Sequence, residues 1–356
     1  MINPEQVDAS NPELKDGIKE IQLLDPELLE YSDETKRLVE IGINSINLVT
    51  KKFGSPQNPK WASGSYEENV FMSYHNAGAD GHSSIGSYGA GVPRNVLVVA
   101  KAINEAAGSE VYDPLSRAIA FNAAAAHDII QLCGRSLLPE GQVDASRGDE
   151  RLSAEYARDI YIQSGGSIDI AQKIYDGVMA TSFDPNTGSQ NVFGREHYSN
   201  EVDYLSGSLG QELVAAADLL GPTTRRGSLG ALEYCIEWLS TFQKENITQA
   251  RLASVGKSPN SISSIQEMVD FIDSDKVLRQ ALSDTLAGQS KFFKEFISYS
   301  GKTIRLVSRK GIDELFPGRL NNGDILQGFS DDMKAGKTVL EIYEDAQRIS
   351  RQGTSF

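Results

Sequence analysis

The sequence predicts an all-α protein, with a central helical domain and helical extensions at both ends. Apolar residues recur every three or four positions through most of the 356-residue chain, which is the spacing of a buried helix face. Helix-starting residues such as Asp33, Asp113 and Ser167 precede several of these segments. Helix-stopping dipeptides, Gly with Pro close behind, follow two of them, near Gly54 and at Gly221.

The N-terminal part is predicted to hold one long helix. Residues 1–30 are rich in proline and acidic side chains, and we expect a partly ordered arm there. Asp33 opens a helix that ends before Gly54, because a run of apolar residues at helical spacing lies between them. A polar loop over residues 55–66 follows.

The middle of the chain alternates between loops and helices. A Gly- and Ser-rich stretch covers residues 77–91, and Pro93 then suits the first turn of a helix that extends to residue 107. Asp113 begins an alanine-rich helix that ends in His127-Asp128. Further helices are predicted from Ser153, over 167–180, 209–220 and 228–243, with a loop at 183–196.

The C-terminal part is more highly charged and also reads as helical. We expect a helix over residues 261–300, a turn at 316–323 and a final helix at 336–348. These patterns divide the chain into an N-terminal arm and helix (1–60), a central domain (61–244) and a C-terminal helical extension (245–356).

The composition is that of an ordinary globular protein, with 40% hydrophobic and 23% charged residues. A formal net charge of −15 argues against binding a nucleic-acid backbone. No run of eighteen apolar residues predicts a membrane span, and the first residues do not resemble a signal peptide. With only two cysteines, Cys133 and Cys235, both predicted as buried free thiols, we expect a cytoplasmic protein; a homo-oligomer stays open.

Polar groups follow alanine runs at two places in the chain, and these places carry the candidate chemistry. His127-Asp128 comes after four alanines, and Asp218 comes after three, each on an otherwise apolar helix. Such groups are costly to bury without partners, and imidazole and carboxylate can share one metal ion. Two more histidines, His75 and His82, lie upstream. The alternative for each is a hydrogen-bonded polar group with no catalytic role.

The order of His, then His-Asp, then Asp resembles the signature of the HD-domain metal-dependent phosphohydrolases. Local similarity covers about residues 70–222: Tyr74-His-Asn, the apolar helix before His127-Asp128, an acidic helix start near Ser153, and the helix of Asp218. The resemblance implies an HD-type helical domain. One departure is a glycine-rich insertion after Tyr74-His-Asn, so either His75 or His82 would be the first ligand.

The resemblance implies a divalent metal held by His127, Asp128, Asp218 and one of His75 or His82, with manganese, magnesium, iron, zinc and nickel not distinguished. Asp128 and the histidine left free, His75 in our assignment, would act in catalysis on a small phosphomonoester or phosphodiester, nucleotides included. We add Arg94, from its position at a helix start, as a phosphate-binding candidate. The alternatives are a catalytically degenerate HD-fold binding or regulatory protein and, ranked last, a di-iron oxygenase.

Overall fold

The computed structural model describes residues 12–55, 58–59, 92–130, 149–184, 189–190, 209–224, 245–256, 265–291 and 322–353, with residues 229, 231–232, 235–236 and 239. About 85% of this described part is helical. The remaining regular structure consists of two-residue strands, β1 (Gly54–Ser55), β2 (Asn58–Pro59), β3 (Phe183–Asp184) and β4 (Ser189–Gln190). The predicted all-α class is therefore confirmed; the HD-type fold stays a prediction.

Three helices form the N-terminal part: α1 (Pro12–Leu24), α2 (Glu27–Glu30) and α3 (Asp33–Phe53). The bounds of α3 agree with the sequence pattern. The sequence predicted a partly ordered arm over residues 1–30; in its described part, residues 12–30, the structure has α1 and α2, and both pack against α3. Ile21 and Leu28 are fully buried there, so tertiary packing orders a segment whose composition alone does not favour order.

The next two helices are α4 (Val92–Ala107) and α5 (Pro114–Ala126). The side chain of Asp113 accepts a hydrogen bond of 2.6 Å from the backbone N–H of Ser116, and Pro114 occupies the first helical position. Asp113 therefore caps α5, as the sequence predicted. Asn104 joins the two helices, because its side chain donates to the carbonyl of Tyr112 and accepts from the Tyr112 N–H.

Two further helices, α6 (Asp149–Gln163) and α7 (Ile168–Met179), pack against each other. Ser167 caps α7 as predicted, whereas α6 begins four residues before the predicted start at Ser153. β3 and β4 pair antiparallel within the predicted loop, Phe183 opposite Gln190 and Asp184 opposite Ser189. Helix α8 (Leu209–Thr224) continues past Gly221, where the sequence predicted a stop. A proline beyond the first turn of a helix costs about 3 kcal/mol but does not forbid the helix, so the Gly221-Pro222 stop signal is a tendency that this helix overrides.

Helix α5 is the centre of this part of the protein, and it contacts α3, α4, α6 and α7. Every residue from Arg117 to Ala126 is buried. Glycines allow the close approach: a Cβ added at Gly42 of α3 would lie 2.8 Å from the ring of Phe121, and one at Gly177 of α7 would lie 2.8 Å from Ala123. Because these two glycines have no side chain, α3 and α7 pack closely against α5, the helix that leads to His127.

A buried ion pair ties the α1–α2 connection to α5. Arg117 donates from Nε and Nη2 to the two carboxylate oxygens of Asp25, at 2.7 and 3.1 Å, and from Nη1 to the carbonyl of Tyr112 at 2.8 Å. It also donates to the exposed Glu27 at 2.6 Å. The side chains of Arg117 and Asp25 are 5% and 8% exposed, so this contact is a paired charge inside the protein rather than a surface bridge.

The second compact unit contains the C-terminal helices α9 (Glu245–Ser254), α10 (Ile265–Ser274), the helical residues 276–291, α11 (Asn322–Lys334) and α12 (Val339–Gly353). Its core is apolar, with Leu232, Ile236, Leu282 and Ile342 fully buried. Helix α11 was not predicted from the sequence. A turn was predicted over residues 316–323, and no helix between that turn and residue 336. Gly336, at φ 109°, ends α11 in a conformation that favours glycine.

The chain forms two compact units, and one of the points at which it passes between them lies at Gly221 and Pro222. The first unit includes α1 to α7 and α8 as far as Gly221, and the second includes α9 to α12. The boundary predicted at residue 245 stays a prediction. Cys235 is buried and free, as expected, and Cys133 lies outside the described residues. Among the helices described, none combines the length and apolar character needed to cross a bilayer.

Candidate functional site

The site begins where α5 stops. The regular helix ends at Ala126, His127 and Asp128 form a turn, and helical backbone resumes at Ile129. The imidazole of His127 is 3% exposed, and its Nδ1 lies 2.7 Å from the carbonyl oxygen of Ala124. Because a carbonyl oxygen only accepts, Nδ1 carries the proton of this hydrogen bond. The ring orientation is thereby fixed, with Nε2 directed toward other partners.

Two carboxylates approach that second nitrogen. Nε2 of His127 lies 3.1 Å from Oδ2 of Asp128 and 3.5 Å from Oδ1 of Asp218. Asp128 is the next residue in the chain, whereas Asp218 belongs to α8, ninety-one positions further along. The structure therefore brings together three of the residues that the sequence singled out, from two helices. We call His127, Asp128 and Asp218 the His-Asp-Asp cluster.

The cluster has an uneven exposure. The imidazole is buried, while the side chains of Asp128 and Asp218 are 31% and 26% exposed. The basic group thus lies on the protein side and the two carboxylates lie toward solvent. Any ion or substrate that reached the cluster from outside would meet the carboxylates first.

The protonation of His127 depends on two opposing effects. Burial lowers the pKa of His127, because a charged imidazolium loses hydration, but the charges and hydrogen bonds of Asp128 and then Asp218 raise it more. The net result holds the pKa of His127 well above its usual value. The metal-free cluster therefore favours a protonated imidazole beside the two carboxylates.

The donor set suits a divalent cation in the type of its ligand atoms. One imidazole nitrogen and two carboxylates suit hard or borderline metals. Donors that share a tetrahedral ion at about 2.1 Å are roughly 3.4 Å apart, close to the 3.1 and 3.5 Å found from His127. Within the described ranges, no group of three or more potential ligands is already arranged around a common centre. The pairwise distances are those of an ion-paired cluster, which a metal would reorganise by displacing the proton on Nε2.

Within the part of the chain that the structure describes, none of the other predicted site residues lies in the His-Asp-Asp cluster. His75 and His82 lie outside the described residues, so their roles as ligand or acid stay predictions. Arg94 lies in the first turn of α4 and is half-buried. Its assignment to phosphate binding also stays a prediction.

Sequence reasoning missed two residues of this region. Glu212 lies on α8, six residues before Asp218, and is 1% exposed. Burial and then the charge of Glu212 raise the pKa of Tyr112. Local sequence carried no signal for Glu212, since it follows Gln211 and precedes the alanine run that identified Asp218. The second residue is Ser153, whose hydroxyl accepts a hydrogen bond from the N–H of Ile130, and local sequence carries no sign of that contact.

Comparison of the chain with protein-family models, with curated proteins and with solved structures finds no match. The resemblance to HD-domain phosphohydrolases therefore depends on the residues that carry it. The strongest of them, His127, Asp128 and Asp218, are the ones found together in the His-Asp-Asp cluster.

Proposed function

We propose that this protein is a metal-dependent phosphohydrolase with an HD-type helical domain, acting on a small phosphomonoester or phosphodiester, with nucleotides among the candidates. The observation that supports it is the His-Asp-Asp cluster, in which a buried imidazole lies 3.1 Å from the carboxylate of the adjacent Asp128 and 3.5 Å from that of Asp218 on α8. The order of these residues along the chain is the order in the family's signature.

The cluster has the charge that a divalent cation needs. With a neutral imidazole, Asp128 and Asp218 supply two negative charges, which a divalent ion neutralises. The Nδ1–H bond from His127 to the Ala124 carbonyl leaves Nε2 as the ligating atom. His75 or His82 is the proposed fourth ligand. Manganese, magnesium, iron, zinc and nickel are all compatible with such a donor set.

Each protein group has a chemical role in this proposal. A bound divalent ion lowers the pKa of a coordinated water and offsets negative charge at a phosphoryl group. Asp128, more exposed than His127, orients the attacking water, and His75, if His82 is the ligand, protonates the leaving oxygen. Arg94 neutralises phosphate charge through its guanidinium group.

A second candidate is a degenerate HD-fold protein that binds a ligand or regulates a partner without turnover. The observation that favours it is the closed ion pairing of His127 with Asp128 and Asp218, which satisfies the buried imidazole without a metal. In that case the ion pairs of the cluster would stabilise the fold without a metal. The di-iron oxygenase requires more histidines than the four in this chain readily supply.

The experiment that separates these candidates measures hydrolysis of p-nitrophenyl phosphate and bis-p-nitrophenyl phosphate with each divalent cation in turn. We expect release of p-nitrophenol with at least one cation, and a loss of at least about 100-fold in Asp128→Asn, as for the removal of one strong catalytic contribution. Asp176→Asn, which removes an α7 carboxylate bonded to Gln172, is the matched control and should keep full activity. Equal rates in Asp128→Asn and wild type would contradict the proposal.

The proposed setting follows from composition. We propose a cytoplasmic protein with a small phosphorylated substrate and no nucleic-acid backbone among its partners, because the net charge is −15 and the chain has two cysteines. Self-association is left to a sedimentation experiment, in which a single species at the monomer mass of 38.8 kDa would exclude a homo-oligomer.

A further inference from the structure

The backbone turn that presents His127 and Asp128 is held from outside α5. Ile130 lies two residues after Asp128, and its N–H donates to the hydroxyl oxygen of Ser153 at 3.2 Å. Ser153 belongs to α6, twenty-three residues further along, and is completely buried. The contact therefore fixes the backbone just after the turn to a second helix.

The other side of the turn is fixed by α5 itself. Nδ1 of His127 donates to the carbonyl of Ala124, one turn earlier in the helix. The two contacts bracket the His127-Asp128 turn, one holding the ring and the other holding the backbone beyond it. Ile129 and Ile130 are also buried, at 0% and 1% exposure, so the segment has little freedom once Ser153 is in place.

We infer that Ser153 is a positioning residue for the metal site: its hydroxyl sets the backbone after the turn so that His127 and Asp128 face Asp218 at ligating separation. This inference rests on the proposed function. Ser153 does not itself contact the cluster in this account; it acts through the Ile130 N–H. Outer-shell groups that orient metal ligands typically change metal affinity about 10- to 100-fold when removed.

The burial of Ser153 makes the role specific. A buried N–H without an acceptor is unfavourable, so loss of the hydroxyl favours a shifted turn in which the Ile130 N–H finds another acceptor. A shift of a few tenths of an ångström would alter the 3.1 and 3.5 Å separations at Nε2. Stability alone would not report this change, since any buried serine can contribute to stability.

The test uses full-length Ser153→Ala, with Ser45→Ala as the matched control. Ser45 is also a buried helical serine, but its hydroxyl donates to the Ile41 carbonyl of its own helix α3. Manganese affinity is measured from free Mn²⁺ by electron paramagnetic resonance. We expect about 10- to 100-fold weaker binding in Ser153→Ala, no change in Ser45→Ala, and recovery in Ser153→Thr, which keeps the hydroxyl. Should Ser153→Ala not fold, Ser153→Cys, which replaces the hydroxyl with a weak acceptor, takes its place.

A second measurement separates failure of this inference from failure of the proposed function. Imidazole resonances of His127, assigned with His127→Gln, are recorded in metal-free protein. We expect them to shift in Ser153→Ala and to stay unchanged in Ser45→Ala. If wild type binds no manganese, the proposed function fails, and a shift still supports positioning. Unchanged His127 resonances, or wild-type manganese affinity in Ser153→Ala, would overturn the inference while leaving the proposed function intact.

Discussion

The buried pair between Arg117 and Asp25 allows a quantitative test of how the N-terminal helices are held. Arg117→Met removes the cation and leaves the Asp25 carboxylate, 8% exposed, without its bidentate partner. Breaking a buried pair by removing one member costs about 3–5 kcal/mol, because the remaining charge stays desolvated. We expect the free energy of unfolding of the first unit to fall by that amount.

The stability lost in Arg117→Met should be recovered when the partner charge is removed as well. Replacing both members, in Asp25→Leu with Arg117→Met, removes both buried charges and should restore most of the lost stability, because an apolar pair carries no desolvation penalty. The matched control is Arg37→Met. Arg37 pairs with Glu34 at 3.2 Å, but those side chains are 36% and 30% exposed, so the loss should be below about 1 kcal/mol.

The assay is urea denaturation followed by circular dichroism at 222 nm, with the unfolding transition of each unit fitted separately. The expected order of stability is wild type, then the control, then the double variant, with Arg117→Met lowest. A loss below about 1 kcal/mol in Arg117→Met would refute the buried-pair account. A double variant as unstable as the single one would show that geometry at this contact, rather than charge burial, provides the stability.

Two further predictions concern α5 and its end. In metal-free protein the stabilisation from charged His127 should be fully present below the pKa of the unfolded state, near 6.5. It should be lost as pH rises through the higher pKa of the folded state. The melting temperature of wild type should therefore exceed that of His127→Gln by less at pH 9 than at pH 6, and a difference that does not change with pH would contradict this prediction. Gly42→Ala should destabilise by about 1–2 kcal/mol, because a Cβ 2.8 Å from Phe121 overpacks the core. Its control, Gly210→Ala, meets nothing within 4 Å and should be neutral or stabilising in thermal denaturation.

Capping residues in the sequence predicted the starts of those helices whose first turn is capped by a neighbouring side chain. Asp113 and Ser167 cap α5 and α7 where the sequence placed those starts, since each side chain accepts from an N–H of the first turn. Tertiary contacts decided the exceptions. Helices α1 and α2 are ordered by burial of Ile21 and Leu28 and by the Asp25 pair with Arg117, partners ninety-two residues apart that no local pattern reveals.

In the candidate site, too, local sequence identified some residues, and contacts between distant parts of the chain determined others. Polar residues after alanine runs identified His127, Asp128 and Asp218, and the structure brings those three together. Contacts made through the backbone were not predictable, because the Ser153 hydroxyl meets an N–H that every residue carries. Glu212 was not predicted, because it follows Gln211 and precedes the alanine run, so no local pattern distinguishes it from an exposed carboxylate.

We propose that the His-Asp-Asp cluster binds a divalent metal, and the metal content of the purified protein tests this proposal. Elemental mass spectrometry is applied to full-length protein purified without a metal-binding tag, beside Asp128→Ala and Asp218→Ala, with Asp176→Asn as the control. We expect close to one equivalent of a transition metal, or its uptake from excess Mn²⁺, in wild type and the control. Both cluster variants should lose that metal. No metal in wild type after incubation, or as much metal in Asp128→Ala and Asp218→Ala as in wild type, would show that the cluster is not a metal site.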